Sequence, residues 1–465
     1  MKSQAVHHLA GAALLLVAVG CGSSDTQGPD TPPYRGATVQ AIPQNVLAAA
    51  VLVRATGYDS AYIEAQAGAG PSQTTPAVAF GGDTIVRVPV LGLDTATAYT
   101  FRVVLTEDGA ADHVVDSLPF TSGSLPAWIP AMGSIGTSGE SGYVALSLPD
   151  GAVTVDNDGK VVWYHYSPNG VLNSFQAHPS GSYTILSAAG TGGTEFLVLN
   201  VLGEQTGTLA CVGRPTRFHD LLVGVDGDVW ILCDETRVMD LSGVGGNPAA
   251  SVTATVVQHV DADGTLLWEW NAFDHFDITD QPSADRSGPN VNFTHGNGIG
   301  FDTDGNLLLG FRSLSEVTKV DRSTGAVIWR LGGLRNEFTI LNDPKGTFER
   351  QHGVRAAGAG TIQLLDNGLQ APSRLVRYRL NGTNHTADME WAFIDSPTTW
   401  TLVGGTTQFH PDGHATVSFG RAGRVIEVDQ HGLRIWELTG LDGVYVFRAQ
   451  RLGSLYAAGR NEPTR

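Results

Sequence analysis

The chain has 465 residues, 42% of them hydrophobic, which is enough for two or three domains with sizeable cores and excludes a disordered or collagen-like protein. Charged residues make up only 16% and glycines number 58, so long charge-laced helices are excluded and a turn-rich all-β protein is favoured. With 28 Lys and Arg against 46 Asp and Glu, the net charge of −18 opposes a phosphate backbone, and no nucleic-acid partner is expected.

Residues 1–20 combine Lys2, an apolar run from Leu9 to Val19 and small residues up to Cys21, the pattern of a secretory signal. Ala18-Val19-Gly20-Cys21 has the form of a lipobox, in which the cysteine is diacylated and becomes the mature N-terminus. An ordinary signal with an incidental cysteine is the alternative. No other run approaches the roughly 18 apolar residues that span a bilayer, so the lipid on Cys21 would be the only membrane attachment. Residues 21–35 then form a polar, proline-bearing tether, and the expected location is the cell envelope, lipid-anchored, in the periplasm or at the outer membrane. Cys211 and Cys233 remain; that compartment permits them to pair, and the sequence leaves the pairing open.

Residues 36–123 read as a small β-sandwich: period-2 strands such as Thr84 to Val90 and Ala98 to Leu105 alternate with Gly, Pro and Asp turns. Leu93 to Tyr99 resembles the corner of a fibronectin type III sandwich, where a tyrosine hydroxyl ties its strand to the backbone upstream. A link follows, and residues 131–465 are repetitive. A glycine followed by a short apolar strand recurs at Gly181, Gly227, Gly305, Gly360, Gly413 and Gly453. A second element, two strands around a polar turn, ends at Trp163, Leu209, Trp268, Trp329, Trp391 and Trp436. Each pair of elements supplies four antiparallel strands, so the expected fold is a six-bladed β-propeller. The entering element, Val153 to Tyr166, and the leaving one, Val446 to Arg460, complete one shared blade, which leaves the strand Tyr143 to Leu148 surplus.

The innermost strand of a propeller blade lines the central channel, so strand starts from several blades converge. The positions eight before each glycine are Asn173, His219, Asn297, His352, Gly405 and Tyr445, with His295 two residues before Asn297. Three histidines thus begin strands in consecutive blades. Arg312 stands seven after Gly305, where neighbouring blades have Asp234 and Asn367; a guanidinium beside three imidazoles suits an anion better than a metal cation. His178 and His410, inside His-Pro-x-Gly turns, read as solvated turn residues. Asn271 to Asn290 stretches the Gly227–Gly305 interval to 78 residues against 40 to 55 elsewhere, the mark of a lid or binding loop whose Phe273, His275 and Phe276 are candidates to stack on a ligand's ring, or else of a solvated surface loop.

The runs Phe218-His-Asp, Thr294-His-Gly-Asn-Gly-Ile, Gly310-Phe-Arg-Ser, Ile328-Trp-Arg-Leu-Gly-Gly, Gln351-His-Gly, Leu364-Leu-Asp-Asn-Gly and Ser373-Arg together resemble the bacterial arylsulfate sulfotransferases. That family is periplasmic and moves a sulfuryl group from a phenolic sulfate ester to another phenol without phosphoadenosine phosphosulfate. The resemblance spans roughly Gly142 to Tyr456 and implies the same propeller and sandwich. It makes His352 the nucleophile and assigns His219, His295 and Arg312 to the same catalytic site. The stretch between Leu331 and His352 lacks a cysteine pair that some members carry.

Sulfuryl transfer parallels phosphoryl transfer, with in-line attack and charge spread over three peripheral oxygens. The resemblance therefore implies a ping-pong route through a sulfo-histidine at His352, with Arg312 holding the sulfuryl oxygens. His219 and His295 would bind oxygens or protonate the departing phenolate, their individual roles left open. Asp366 and Asn367 are candidates to orient His352. The expected partners are a small aryl sulfate donor and a phenolic acceptor, with no metal or organic cofactor; a homodimer is compatible with the sequence. Two other classes stay open: a non-enzymatic propeller lipoprotein serving as a scaffold, and a metal enzyme using the three histidines. Mass spectrometry of the mature N-terminus is expected to find a diacylated Cys21; an unmodified Cys21 or cleavage elsewhere refutes the anchor.

Overall fold

Alternating small apolar and polar residues over Ser60–Ala67 and Ala98–Thr106 bury Ala61, Ile63, Tyr99, Phe101 and Val103 on one face and leave their neighbours outward. The structure, a computed structural model, describes residues 34–167, 174–189 and 193–456. The signal, Cys21, most of the tether and Asn173 lie outside the described residues. Two compact units divide the chain, Met1–Ser124 and Leu125–Arg465.

In the first unit Tyr34–Ala41, Ala49–Ala55 and Ile85–Val90 form one antiparallel sheet, and Ser72–Thr74, Ser60–Ala67, Ala98–Thr106 and His113–Thr121 form the other. Their inner faces share a core containing Val51, Val53, Ile63, Val88 and Phe101. The Tyr99 hydroxyl accepts a hydrogen bond from the Asp94 N–H at 2.8 Å, as the corner motif requires.

Among the described residues, the second unit consists of six sheets of four or more strands, in chain order, antiparallel except where Asn290–Asn292 and Thr339–Leu341 each add a short parallel strand to the third and fifth. Five of the repeat glycines occupy the turn between a sheet's first and second strands, each at positive φ: Gly181 (82°), Gly227 (84°), Gly305 (82°), Gly360 (65°) and Gly413 (93°). A left-handed turn position explains why glycine recurs there. The first strands of successive sheets lie side by side: Thr216–Val223 against Gly296–Phe301, then His352–Ala356, Thr406–Phe409 and Ala449–Leu452, which also meets Gln176–Ala177. The ring is completed where the Ser174 hydroxyl donates to His219 O at 3.1 Å. The arrangement is propeller-like.

Ring closure differs from the sequence expectation. Tyr143–Leu148 is not surplus: it pairs with both Gly151–Asp156 and Ala449–Leu452, so the shared sheet takes three strands from the start of the unit and one from its end. Gly133–Gly136 adds an outer strand beside Arg434–Thr439 of the sixth sheet. Tryptophans join neighbouring sheets. Trp163 Nε1 donates to Val201 O at 2.9 Å, Trp270 Nε1 to Gly325 O at 3.0 Å, and Trp436 Nε1 to Asn157 O at 2.8 Å, the last across the closure. Trp436 is 1% exposed. Trp436→Phe removes that hydrogen bond and leaves a void, at an expected cost of about 2–3 kcal/mol, read as a lower guanidinium midpoint at unchanged slope.

Candidate active site

The three register histidines converge. His352 opens the first strand of the fifth sheet, His295 immediately precedes that of the fourth, and His219 sits at an irregularity between Thr216 and Leu221 in the third. Ring centroids of His219 and His295 are 4.8 Å apart, and those of His219 and His352 6.3 Å. Close approach of the strands needs glycine: at Gly353, φ 60°, an added Cβ would lie 2.7 Å from Thr406 Cα. His295 itself holds φ 51°, an unfavourable conformation for a side-chain-bearing residue of the kind that collects at functional sites. Arg312 follows the next strand of the fourth sheet, its N–H donating to His295 O at 3.0 Å. All four side chains line one cavity of about 440 Å³. Its remaining wall is largely aromatic and apolar, with Phe218, Phe447, Tyr445 and Val403, and Arg421 also faces it.

Hydrogen bonds set the tautomer of His352. Asn367 Nδ2 donates to Thr401 O at 2.9 Å and to Gly404 O at 3.0 Å, which turns its Oδ1 toward His352 Nδ1 at 2.7 Å. Nδ1 therefore carries the proton and Nε2 carries the lone pair. The Gly404 N–H reaches that lone pair in a long contact at 3.4 Å. In the other two rings, Asn292 Nδ2 donates to His295 Nδ1 at 2.7 Å, so His295 holds its proton on Nε2 and points it at His219 Nε2, 3.2 Å away. His219 is left protonated on Nδ1, a buried atom with no hydrogen-bond partner among the described residues.

The charges around the rings are positive. Arg217 is buried and paired with Asp234, and Arg350 is paired with Asp285. Among the described residues, the Arg312 guanidinium donates to Leu402 O at 3.2 Å and its buried Nε has no partner. Burial pushes His352 down to about 4; the Asn367 hydrogen bond opposes this and the Arg312 charge adds to it. Burial, then His295 and Arg217, hold His219 well below the usual histidine range, and burial, then Arg217 and Arg312, do the same to His295. The free site thus presents three neutral imidazoles and an underused guanidinium, an arrangement that suits a small anion.

Of the other sequence candidates, Asn367 and Tyr445 belong to the site and several do not. Asn297 turns away to Gln351 O at 2.7 Å. Asp366 pairs with Lys345 and Arg374, because its side chain leaves the strand on the other face. Phe273, His275 and Phe276 do not line the cavity. Phe276 is packed in the core under the Arg330 guanidinium, His275 stacks on Trp270 at 4.8 Å, and Phe273 lies against Phe293 beneath Arg237. His178 and His410 are buried rather than solvated: each ring folds back onto its sheet, with Nε2 on Thr184 Oγ1 at 2.7 Å and on Thr416 Oγ1 at 2.8 Å. Cys211 and Cys233 form a disulfide with Cα atoms 6.0 Å apart. Among the described residues, no group of three or more His, Cys, Asp or Glu is arranged to hold a metal ion. Arg421 escaped the sequence reading; the available signal was its place one residue past the position in the sixth sheet that corresponds to Arg312.

The fold and the site define an all-β, propeller-like protein with a cavity lined by three histidines and two arginines. Residues 210–440, which include all four convergent side chains, match the arylsulfotransferase (ASST) family, and over that segment the chain belongs to it. Among curated proteins, none matches. The structure is similar to a protein of unknown function from Bacteroides caccae, with 11% identity and a TM-score of 0.41 over 66% of this chain and 100% of that one. It is similar also to virginiamycin B lyase from Staphylococcus aureus, with 10% identity and a TM-score of 0.36 over 66% and 87%. A gluconolactonase from Xanthomonas campestris gives 13% and 0.35 over 66% and 88%.

A bound anion opposes the causes that depress these histidines. Sulfate binding at pH 6 is therefore expected to take up protons, seen as a binding enthalpy that changes with the ionisation enthalpy of the buffer. Without sulfate, His352 should keep its Nδ1–H tautomer, read from ¹⁵N shifts, until it protonates near pH 4.

Proposed function

We propose that this protein is an arylsulfate sulfotransferase, carried on a six-bladed β-propeller behind a fibronectin III-like sandwich and anchored to the cell envelope through Cys21. It moves a sulfuryl group from a phenolic sulfate ester to a phenol. The observation that carries the reading is the His352 tautomer: a neutral imidazole locked by Asn367, with its Nε2 lone pair facing a cavity that holds an underused guanidinium.

In the first half-reaction the Nε2 lone pair attacks sulfur in line, the N–S bond forms, and the S–O bond to the aryl group breaks with its electron pair leaving on the phenolate. Arg312 stabilises the sulfuryl oxygens, a role in which removing one donor costs about 10²-fold or more in turnover. The ester's negative charge draws a proton onto the coupled pair His219 and His295, whose Nε2 atoms meet at 3.2 Å. That proton passes to the leaving phenolate. In the second half-reaction the acceptor phenol returns a proton to the pair, its oxygen attacks sulfur, and the N–S electrons go back to Nε2. The aromatic wall of Phe218, Tyr445 and Phe447 supports an aryl donor and an aryl acceptor occupying one cavity in turn.

Incubation with 4-nitrophenyl sulfate, with and without phenol, tests the reading: release of nitrophenol that depends on phenol means transfer, and release without it means hydrolysis. Reciprocal plots for the two substrates are expected to be parallel, and donor alone should leave a labelled peptide containing His352. His352→Ala should abolish transfer. Asn367→Ala should lower kcat by about 10²-fold at nearly constant KM, because the imidazole is then free to move its proton to Nε2. Label on another residue, or turnover by His352→Ala at the wild-type rate, overturns the mechanism.

A further inference from the structure

The charges lining the cavity do not balance against a simple aryl sulfate. Arg217 and Arg350 are each neutralised by a carboxylate, Asp234 and Asp285. The three histidines are neutral in the free protein, for the reasons given above, and no carboxylate among the described residues lines the cavity. Two guanidiniums remain, Arg312 and Arg421, and neither has a carboxylate in ion-pair contact among the described residues. An aryl sulfate monoester brings one negative charge.

The two guanidiniums stand at different depths. His219 and His352 are each 3% exposed, Arg312 is partly buried, and Arg421 is exposed at the mouth. The sulfuryl group, which must reach His352 Nε2, occupies the deep end with Arg312. The leaving oxygen forms beside the buried rings, so Arg421 meets the far end of the aryl group instead. Its backbone is held there. The Arg421 N–H donates to Thr401 Oγ1 at 3.0 Å, and at the preceding Gly420 an added Cβ would come 2.3 Å from Val403 O, so this turn lies directly on the cavity wall. Tyr445 lines the same cavity and feels both cations: burial raises its hydroxyl pKa, and both Arg421 and Arg312 pull it back down.

We infer that Arg421 reads a second negative charge at the far end of the substrate, so that the donors this site favours are aryl sulfates bearing a further anionic substituent such as a carboxylate. The inference rests on the sulfuryl-transfer reading of the cavity, and it concerns binding rather than chemistry. Aryl sulfonates isolate it, because their carbon–sulfur bond cannot be transferred.

Titration calorimetry of the full chain compares 4-sulfobenzoate, with two charges, and 4-carbamoylbenzenesulfonate, its singly charged isostere. The wild-type protein is expected to bind the dianion about three- to tenfold more tightly at low salt, with the preference shrinking as salt is added. Arg421→Gln should bring the two affinities within about twofold of each other, and Arg421→Lys should keep most of the preference. Thermal melts check that both variants fold. Equal affinities in the wild type, a preference that persists in Arg421→Gln, or failure of both sulfonates to bind overturns the inference. Turnover of 4-nitrophenyl sulfate by the same preparations separates the two claims: turnover without a preference removes only the second-charge site, and a preference without turnover removes the transfer reading.

Discussion

Everything at the site depends on closing the ring of sheets. His219, His295, His352, Arg421 and Tyr445 belong to different sheets or to the segment that joins the chain's ends, so none is positioned by its own sheet alone. Their separations exist because Ala449–Leu452 hydrogen-bonds to Tyr143–Leu148 and pulls the last segment of the unit against the first. Indole hydrogen bonds between neighbouring sheets, among them Trp436 to Asn157 across the closure, resist opening at the rim. A strand added at the closure removes two exposed edges at once, which is why the seam is a source of stability rather than a weak point.

Within that ring, the protein spends stability on a pocket that is cationic and strained. Positive φ at His295 and Arg350 and a buried His219 Nδ1 without a partner among the described residues are each unfavourable in the free fold. They persist because the surroundings are over-determined: Asn367 is pinned by two carbonyls, Arg217 by Asp234 and Gly296 O, and Arg350 by Asp285 of the insertion between the third and fourth sheets. The insertion thus reaches Arg350 through Asp285 while its Phe276 packs into the core. A chain of net charge −18 keeps a positive cavity by assigning acidic partners to the outlying arginines and withholding them from Arg312 and Arg421.

How much was legible beforehand depended on whether a feature is local. Repeat glycines mark left-handed turn positions, and fixed spacing from those turns projects His219 and His352 to equivalent strand starts; both the sheet count and the convergence of the histidines follow from that periodicity. The same spacing led to Arg312 and to Asn367. It failed where the chain departs from the period. Tyr143–Leu148 was left surplus because one of its two partners, Ala449–Leu452, lies near the other end of the unit. Phe273 and Phe276 resembled aryl-stacking residues, since exposed and buried aromatics look alike until a core forms around them. His178 and His410 sit in turns that usually face water, and only the fold reveals that each ring returns to a threonine of its own sheet.

The sequence by itself determined the repeat, the turn chemistry, the candidate site side chains and the resemblance that suggested sulfuryl transfer, because each is written in residue type and spacing along the chain. The tertiary structure alone decided which imidazole nitrogen carries the proton, which arginines keep a free charge, that Cys211 meets Cys233, and that Arg421 stands at the cavity mouth. Those properties arise from atoms brought to within a few ångströms by different sheets. Hydrogen-bond direction and desolvation act over that distance only, and no periodicity along the chain encodes it.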